Sequence, residues 1–384
     1  LRIIFGVTLT AVMGVASITP TFPKIINDLG ISARSVGLLI TVFTIPGVIL
    51  TPVLGILADH YGRKKVLVPS LFLFAIAGAA CAFSRDFHTM LVLRLFQGMG
   101  AASLGSMNVT LIGDIFSGKQ RTRAMGYNAS VLSIGTASYP AIGGALAMLG
   151  WNFPFFLPLL AIPIGFVVIF CLKSPAAVSD LGISAQFKGA LKSMMNRQVA
   201  VLFTASVMLF VILYGTCLTY IPILMARSFN ASSAQIGMTF TSMSFITALM
   251  SSQIGRITDR FDQRVIFRYS FLLYGFAVFL IPFMPGIWFM FIPMAIFGVG
   301  HGVNIPCIQT LLAELAPVEY RATFMSINGM VLRLGQTLGP LIMGLALTLW
   351  GIRGPFFTGA VFGLFMFFFG HLMKGTNACR DAIK

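Results

Sequence analysis

Apolar runs of about 20 residues, each closed by charges, prolines or glycines, follow one another along almost the whole chain. A helix of that length crosses the hydrocarbon core of a bilayer, where only helices and closed barrels satisfy their own backbone polar groups. The runs are continuous rather than alternating, which argues against a barrel. Spans are expected near 2–22, 36–58, 66–83, 89–115, 122–149 and 152–172, then 199–225, 234–257, 265–284, 288–313, 322–350 and 354–373. Of the 384 residues 57% are hydrophobic and only 9% charged, against about a quarter charged in a soluble domain. Twelve helices leave short connections, which rules out a globular enzyme with a soluble core. The chain enters its first apolar run at once, and that run is too long for a signal-peptide core, so it is read as a retained helix.

Lys and Arg number 26 against 10 Asp and Glu. A nucleic-acid surface would account for such a balance only if the charge were clustered without regard to the spans. Instead it sorts by side. If the first helix runs outward, Arg2, Arg63, Lys64, Lys65, Lys119, Arg121, Arg123, Arg197, Arg256, Arg260, Arg264, Arg268 and Arg321 fall on one side. The basic residues of the polar stretch 173–198 and of the tail 374–384 join them there. Lys24, Arg34, Arg85, Arg227 and Arg353 fall on the other side. The positive-inside rule then places both termini in the cytoplasm, in the plasma membrane of a cell or the inner membrane of a bacterium, with no nucleic-acid partner. The five cysteines show neither a C-x-x-C nor a Cys/His spacing, so they read as packing residues and no metal site is expected.

Sliding the chain on itself by 200 residues superposes Gly37, Thr41, Gly55, Asp59, Gly98, Gly100 and Arg121 on Gly237, Thr241, Gly255, Asp259, Gly298, Gly300 and Arg321. Met125, Asn128, Val131, Leu132, Gly135 and Pro140 likewise meet Met325, Asn328, Val331, Leu332, Gly335 and Pro340 without a gap. Apolar matches are cheap in a membrane protein, but Asp, Arg, Asn and Gly matches in one register are not. The chain is therefore read as two parallel six-helix halves, 1–172 and 199–373, joined by the cytoplasmic linker 173–198 and followed by a short tail 374–384.

The connection after the second span reads Gly55-Ile-Leu-Ala-Asp59-His-Tyr-Gly62-Arg63-Lys64-Lys65, with a shorter echo from Gly255 through Asp259 to Arg264. The fourth span carries Arg94-Leu-Phe-Gln97-Gly98-Met-Gly100. These motifs resemble the major facilitator superfamily, over about residues 10–373. The resemblance implies two pseudo-symmetric all-α bundles, twelve transmembrane helices, alternating access around a central cavity, and a monomer. It implies that Asp59 meets the start of the eleventh helix near Arg321, that Arg63 pairs with Asp114, and that such contacts, with Gly62, Lys64, Arg121, Asp259, Arg264 and Glu314, hold one face closed. In proton-coupled branches an Arg like Arg94, beside Gln97, is thought to assist proton transfer; snorkelling to the interface is the plainer reading.

Gly14 with Pro20 and Pro23 resembles the twelve-helix drug:proton antiporter branch, as does Gly135-Thr-Ala-Ser-Tyr139-Pro140-Ala-Ile-Gly143-Gly144 on the fifth span, where Tyr139 stands in place of a glycine. That branch implies proton-driven export of hydrophobic or amphipathic small molecules across the bilayer, without a cofactor. Its usual midplane carboxylate is missing. Candidate proton carriers are Asp28, if the first helix runs further, Asp114, Glu314 and His301. Arg333 lies about 18 Å in from Arg321 along its helix, near the midplane, and needs an anionic partner or a substrate. Asn128, Tyr139, His301, Asn304, Asn328, Arg333 and Gln336 are the candidate cavity residues. An organic-anion, metabolite or lipid-like cargo bound by the buried arginines is the second reading, and a non-transporting membrane sensor or assembly factor the third.

Overall fold

The computed structural model describes residues 1–172, 196–316 and 321–373, and of Asp59, Thr122, Arg321, Ala322, Thr323 and Ser326 the backbone alone. The linker and tail expected at 173–198 and 374–384 lie almost wholly outside the described residues. Twelve helical passes run through the rest: α1 (Arg2–Asp28), α2 (Leu38–Tyr61), α3 (Arg63–Cys81), α4 (Phe87–Ile115), α5 (Gly118–Leu149) and α6 (Phe153–Cys171). They are followed by α7 (Arg197–Phe229), α8 (Ser233–Ser252), α9 (Gln263–Phe283), α10 (Ile287–Leu315), α11 (Arg321–Trp350) and α12 (Gly354–Phe369).

Among the described residues, nine segments are long and apolar enough to cross a membrane. The passes α11 and α12 are joined in one of these, Ile327–Leu372, while α4 and α8 fall short. Both shortfalls have the same cause. The side chains of Arg94, Gln97, Ser103 and Asn108 on α4, and of Ser233 and Thr239 on α8, are buried against protein rather than lipid, so these helices can afford polarity that a lipid-facing helix cannot.

Helix starts are fixed where the sequence supplies an acceptor. Asp86 accepts from the Thr89 amide at 2.8 Å, and Asp262 from the Arg264 amide at 2.8 Å. At α8 the Ser232 hydroxyl takes the Gln235 amide while the Gln235 side chain accepts the Ser232 amide, a reciprocal cap. The first helix differs from expectation: it does not stop near 22 but turns once through a 3-10 step at Thr19–Thr21 and continues to Asp28. Pro20 and Pro23 stand in the first positions of these new segments, where a missing N–H costs nothing.

The internal repeat survives as repeated contacts. Thr51 on α2 donates to the Ala102 carbonyl of α4 at 2.9 Å, and Ser251 on α8 to the Gly302 carbonyl of α10 at 2.8 Å. Gly98 faces the Phe43 carbonyl as Gly298 faces the Met243 carbonyl. Each pair is the other displaced by 200 residues. The two halves then join along two seams, α2 with α11 and α5 with α8.

Candidate functional site: seams and central cavity

The seams are built from matched small residues. A side chain at Gly37 would come 3.0 Å from the Pro340 ring, and one at Gly237 would strike the Pro140 carbonyl. Gly144 lies just as close to the Ser233 carbonyl, and Gly344 packs on Arg34 and Tyr220. The α2–α11 seam carries hydroxyls as well: Thr41 donates to the Thr337 carbonyl at 3.1 Å, and Thr44 and Thr337 share a bond at 2.9 Å. Tyr139 does not hold these helices apart, because the close approach of α5 is made by Gly143 on α1 and Gly144 on α8.

On the same helix faces, toward the basic end, contact is lost. Gly55 lies about five helical turns beyond Gly37 and Gly126 about five turns before Gly144, while Gly255 lies in the short helix Ile254–Thr258 that follows α8. Among the described residues, a side chain added at any of Gly55, Gly126, Gly255 or Gly329 would meet nothing within 4 Å. Both seams are therefore shut at the end carrying Lys24 and Arg34, and parted at the end carrying Arg63 and Arg256.

Where the seam closes, Arg333 reaches from α11 into the first half. Its Cδ stands 3.1 Å from the position a Gly47 side chain would take, and its guanidinium 3.4 Å from that of Gly105 on α4. The guanidinium donates to Gln336 Oε1 at 3.3 Å and lies in electrostatic range of the Tyr214 phenol. Tyr214 belongs to a π-helical stretch of α7, Val211–Tyr220, in which the Thr219 hydroxyl bonds the Tyr214 carbonyl five residues back. Local widening of this kind often marks functional sites. Nothing in the hydropathy pattern singles out Gly47, Gly105, Tyr214 or the three threonines.

Every carboxylate whose side chain is described sits at a helix end and is exposed: Asp28, Asp86, Asp114, Asp259, Asp262 and Glu314. Extension of α1 meets the condition on which Asp28 is a candidate proton carrier, and it places Asp28, exposed, at the closed end. Asp114 is paired with Arg63, Nε to Oδ2 at 2.9 Å, at the parted end, and Arg121 covers Gly113 beside it. Gly62, at φ 97, makes the turn into α3 that puts Arg63 there, and Lys64 bonds the Ile169 carbonyl of α6. The expected meeting of Asp59 with Arg321 lies outside the described residues. Asp86, in the connection before α4, has its carboxyl held below the usual range by hydrogen bonds from Thr89.

Arg94 does not snorkel. It is fully buried, donating to the Leu39 carbonyl at 3.1 Å, the Gly14 carbonyl at 2.9 Å and Gln97 Oε1 at 2.7 Å, with Phe43 beneath it at 4.3 Å. It ties α1, α2 and α4 together. Three expected cavity residues are likewise engaged inside their own bundles, because a buried amide must find partners. Asn128 accepts from Thr8 at 2.5 Å, Asn328 from Ser206 at 3.4 Å, and Asn304 donates to Ser270. His301 is half-buried, its Nδ1 bonded to the Tyr274 hydroxyl at 3.1 Å. Cys81, Cys217 and Cys307 are buried and Cys171 exposed, all as free thiols.

Two pseudo-symmetric six-helix bundles, joined along two seams, have the architecture of a membrane-embedded secondary transporter. The family model of the Major Facilitator Superfamily matches residues 4–226 and again 217–377, and the chain belongs to that superfamily of transporters. It is 24% identical over 356 residues to multidrug resistance protein 1 of Bacillus subtilis, covering 91% of this chain and 90% of that one. It is 24% identical over 339 residues to the quinolone resistance protein NorA of Staphylococcus aureus, covering 86% of each. Among solved structures, a bacterial homologue of the human lysosomal transporter Spinster, inward-facing and unoccupied, superposes with a TM-score of 0.83 at 16% identity, covering 97% of this chain and 95% of that one.

Proposed function

We propose that this transporter exports amphipathic small molecules, with the parted, basic end in the cytoplasm. One observation carries the reading: the two seams are in close contact at one end and, among the described residues, open around Gly55, Gly126, Gly255 and Gly329 at the other. A substrate entering from the basic end reaches Arg333 and is stopped by the Gly37–Pro340 and Gly237–Pro140 contacts. Release requires those contacts to part while the Arg63–Asp114 region and the α2–α3 junction from Gly55 to Lys64 close, so these residues form the cytoplasmic gate. The multidrug-resistance and quinolone-resistance names of the relatives support a drug-like cargo. Energy comes from proton entry. In this reading the hydrogen-bonded His301–Tyr274 pair of the second bundle carries the proton, and Arg94 holds α1, α2 and α4 together rather than carrying it.

Proton movement in proteoliposomes tests this, with a pH-sensitive dye inside and a panel of amphiphiles added under an imposed gradient. Amphiphile-dependent proton flux in the wild type, lost in Asp59→Asn and diminished in His301→Ala, is the expected result. Amphiphile flux that leaves the dye unchanged would overturn proton coupling; no flux of any amphiphile would overturn export.

A further inference from the structure

The duplication provides an internal control for what the cavity is built to do. Where the two halves agree, residues shape the scaffold; where they depart together in one place, the departure is functional. Around position 333 the flanks agree, Val131, Leu132 and Gly135 against Val331, Leu332 and Gly335, yet Ser133 faces Arg333 across the repeat. Thr136 likewise becomes Gln336, which accepts from that arginine. The surfaces receiving the side chain depart as well. Gly47 and Gly105, over which the guanidinium lies, correspond to Thr247 and Ile305 in the second half. Two side chains are absent where Arg333 needs room, and its counterpart in the first half, Ser133, carries no charge.

A guanidinium near the midplane is costly without an opposite charge. The described carboxylates are at helix ends, and the contacts of Arg333 are the neutral Gln336 and the Tyr214 phenol. We propose that Arg333, which lies over Gly47 and Gly105, forms with Gln336 and Tyr214 a subsite for a single anionic group, a carboxylate or sulfonate, carried on an amphipathic substrate. This rests on the export reading and narrows its cargo. Both halves contribute to the subsite, so the bound anion sits on the seam that must open.

Calorimetric binding to the full chain in nanodiscs tests it, using 6-(2-naphthyl)hexanoate, its amide and the matching trimethylammonium compound. The carboxylate is expected to bind about tenfold more tightly than the amide, the effect of one charge-assisted bond. Arg333→Gln should erase that difference, and Arg333→Lys should keep part of it. Gly47→Thr, which retains the charge but takes the room of its side chain with the residue of the other half, should reduce the carboxylate's advantage over the amide; it also covers the case in which Arg333→Gln does not fold. Equal binding of the three probes, or tightest binding of the cation, overturns the anion subsite and leaves export standing. Carboxylate preference without flux in proteoliposomes overturns export and leaves the subsite standing.

Discussion

A glycine means different things on the two kinds of helix contact in this chain. Gly298 meets the Met243 carbonyl inside one bundle, whereas Gly237 meets the Pro140 carbonyl across the seam. Overpacking of either costs about 1–3 kcal/mol. In Gly298→Val that cost falls on every conformation and lowers the thermal unfolding midpoint in detergent. In Gly237→Val it falls on the closed-seam state alone, so the midpoint stays near wild type while the equilibrium shifts about 5- to 150-fold away from that state and transport drops; equal loss of midpoint in both variants would contradict the distinction. Asp86 gives a pH test at the same scale. Its folded carboxyl titrates lower than in the unfolded chain because Thr89 bonds the charged form. Its contribution to stability is present above the unfolded value of about 3.9 and is lost as pH falls through the lowered folded value. Unfolding midpoints of wild type and Asp86→Ala should therefore differ at neutral pH and converge as acid protonates the cap.

The elements show what the sequence can and cannot disclose. Helix number and bundle order were legible because apolar run length and the 200-residue register are properties of the chain itself. The continuation of α1 to Asp28 was not, since Pro20 and Pro23 read equally well as an ending and as the opening of new segments. Polar residues inside spans were legible as outliers but not by role. Arg94 and Arg333 look alike in sequence, yet one is enclosed by backbone carbonyls and the other faces the cavity, a difference set by helix rotation. Asn128 and Asn328 matched across the repeat because both brace a bundle. The α2–α11 seam adds a prediction of its own. Thr337→Val removes the bond to Thr44, worth about 1 kcal/mol, or roughly a fivefold shift toward the open seam. A cysteine at Thr41 should then react about fivefold faster with a membrane-impermeant maleimide added from the closed side; an unchanged rate would remove the hydroxyl bonds from the gate.

At the level of the whole molecule, closure at one end and parting at the other are two outcomes of a single pseudo-symmetric arrangement, since the gate faces repeat every 200 residues. Gly126 stands on the face of α5 that touches α8 further along through Gly144, Gly255 stands in the short helix Ile254–Thr258 that follows α8, and among the described residues each is open in this state. Rocking of rigid bundles about the central site must bring the Gly126 and Gly255 faces together when the other end releases substrate. With all five cysteines replaced, Gly126→Cys and Gly255→Cys should join through a short bis-methanethiosulfonate, each thiolate displacing a sulfinate, only during turnover, and the joined protein should stop transporting and then recover when the disulfide links are reduced. A long flexible reagent should join them without stopping substrate binding, because the cavity remains accessible from the basic end. Cross-linking at the same rate in resting and energised vesicles would mean that these faces do not move relative to one another, and the rigid-bundle account of transport would fail with it.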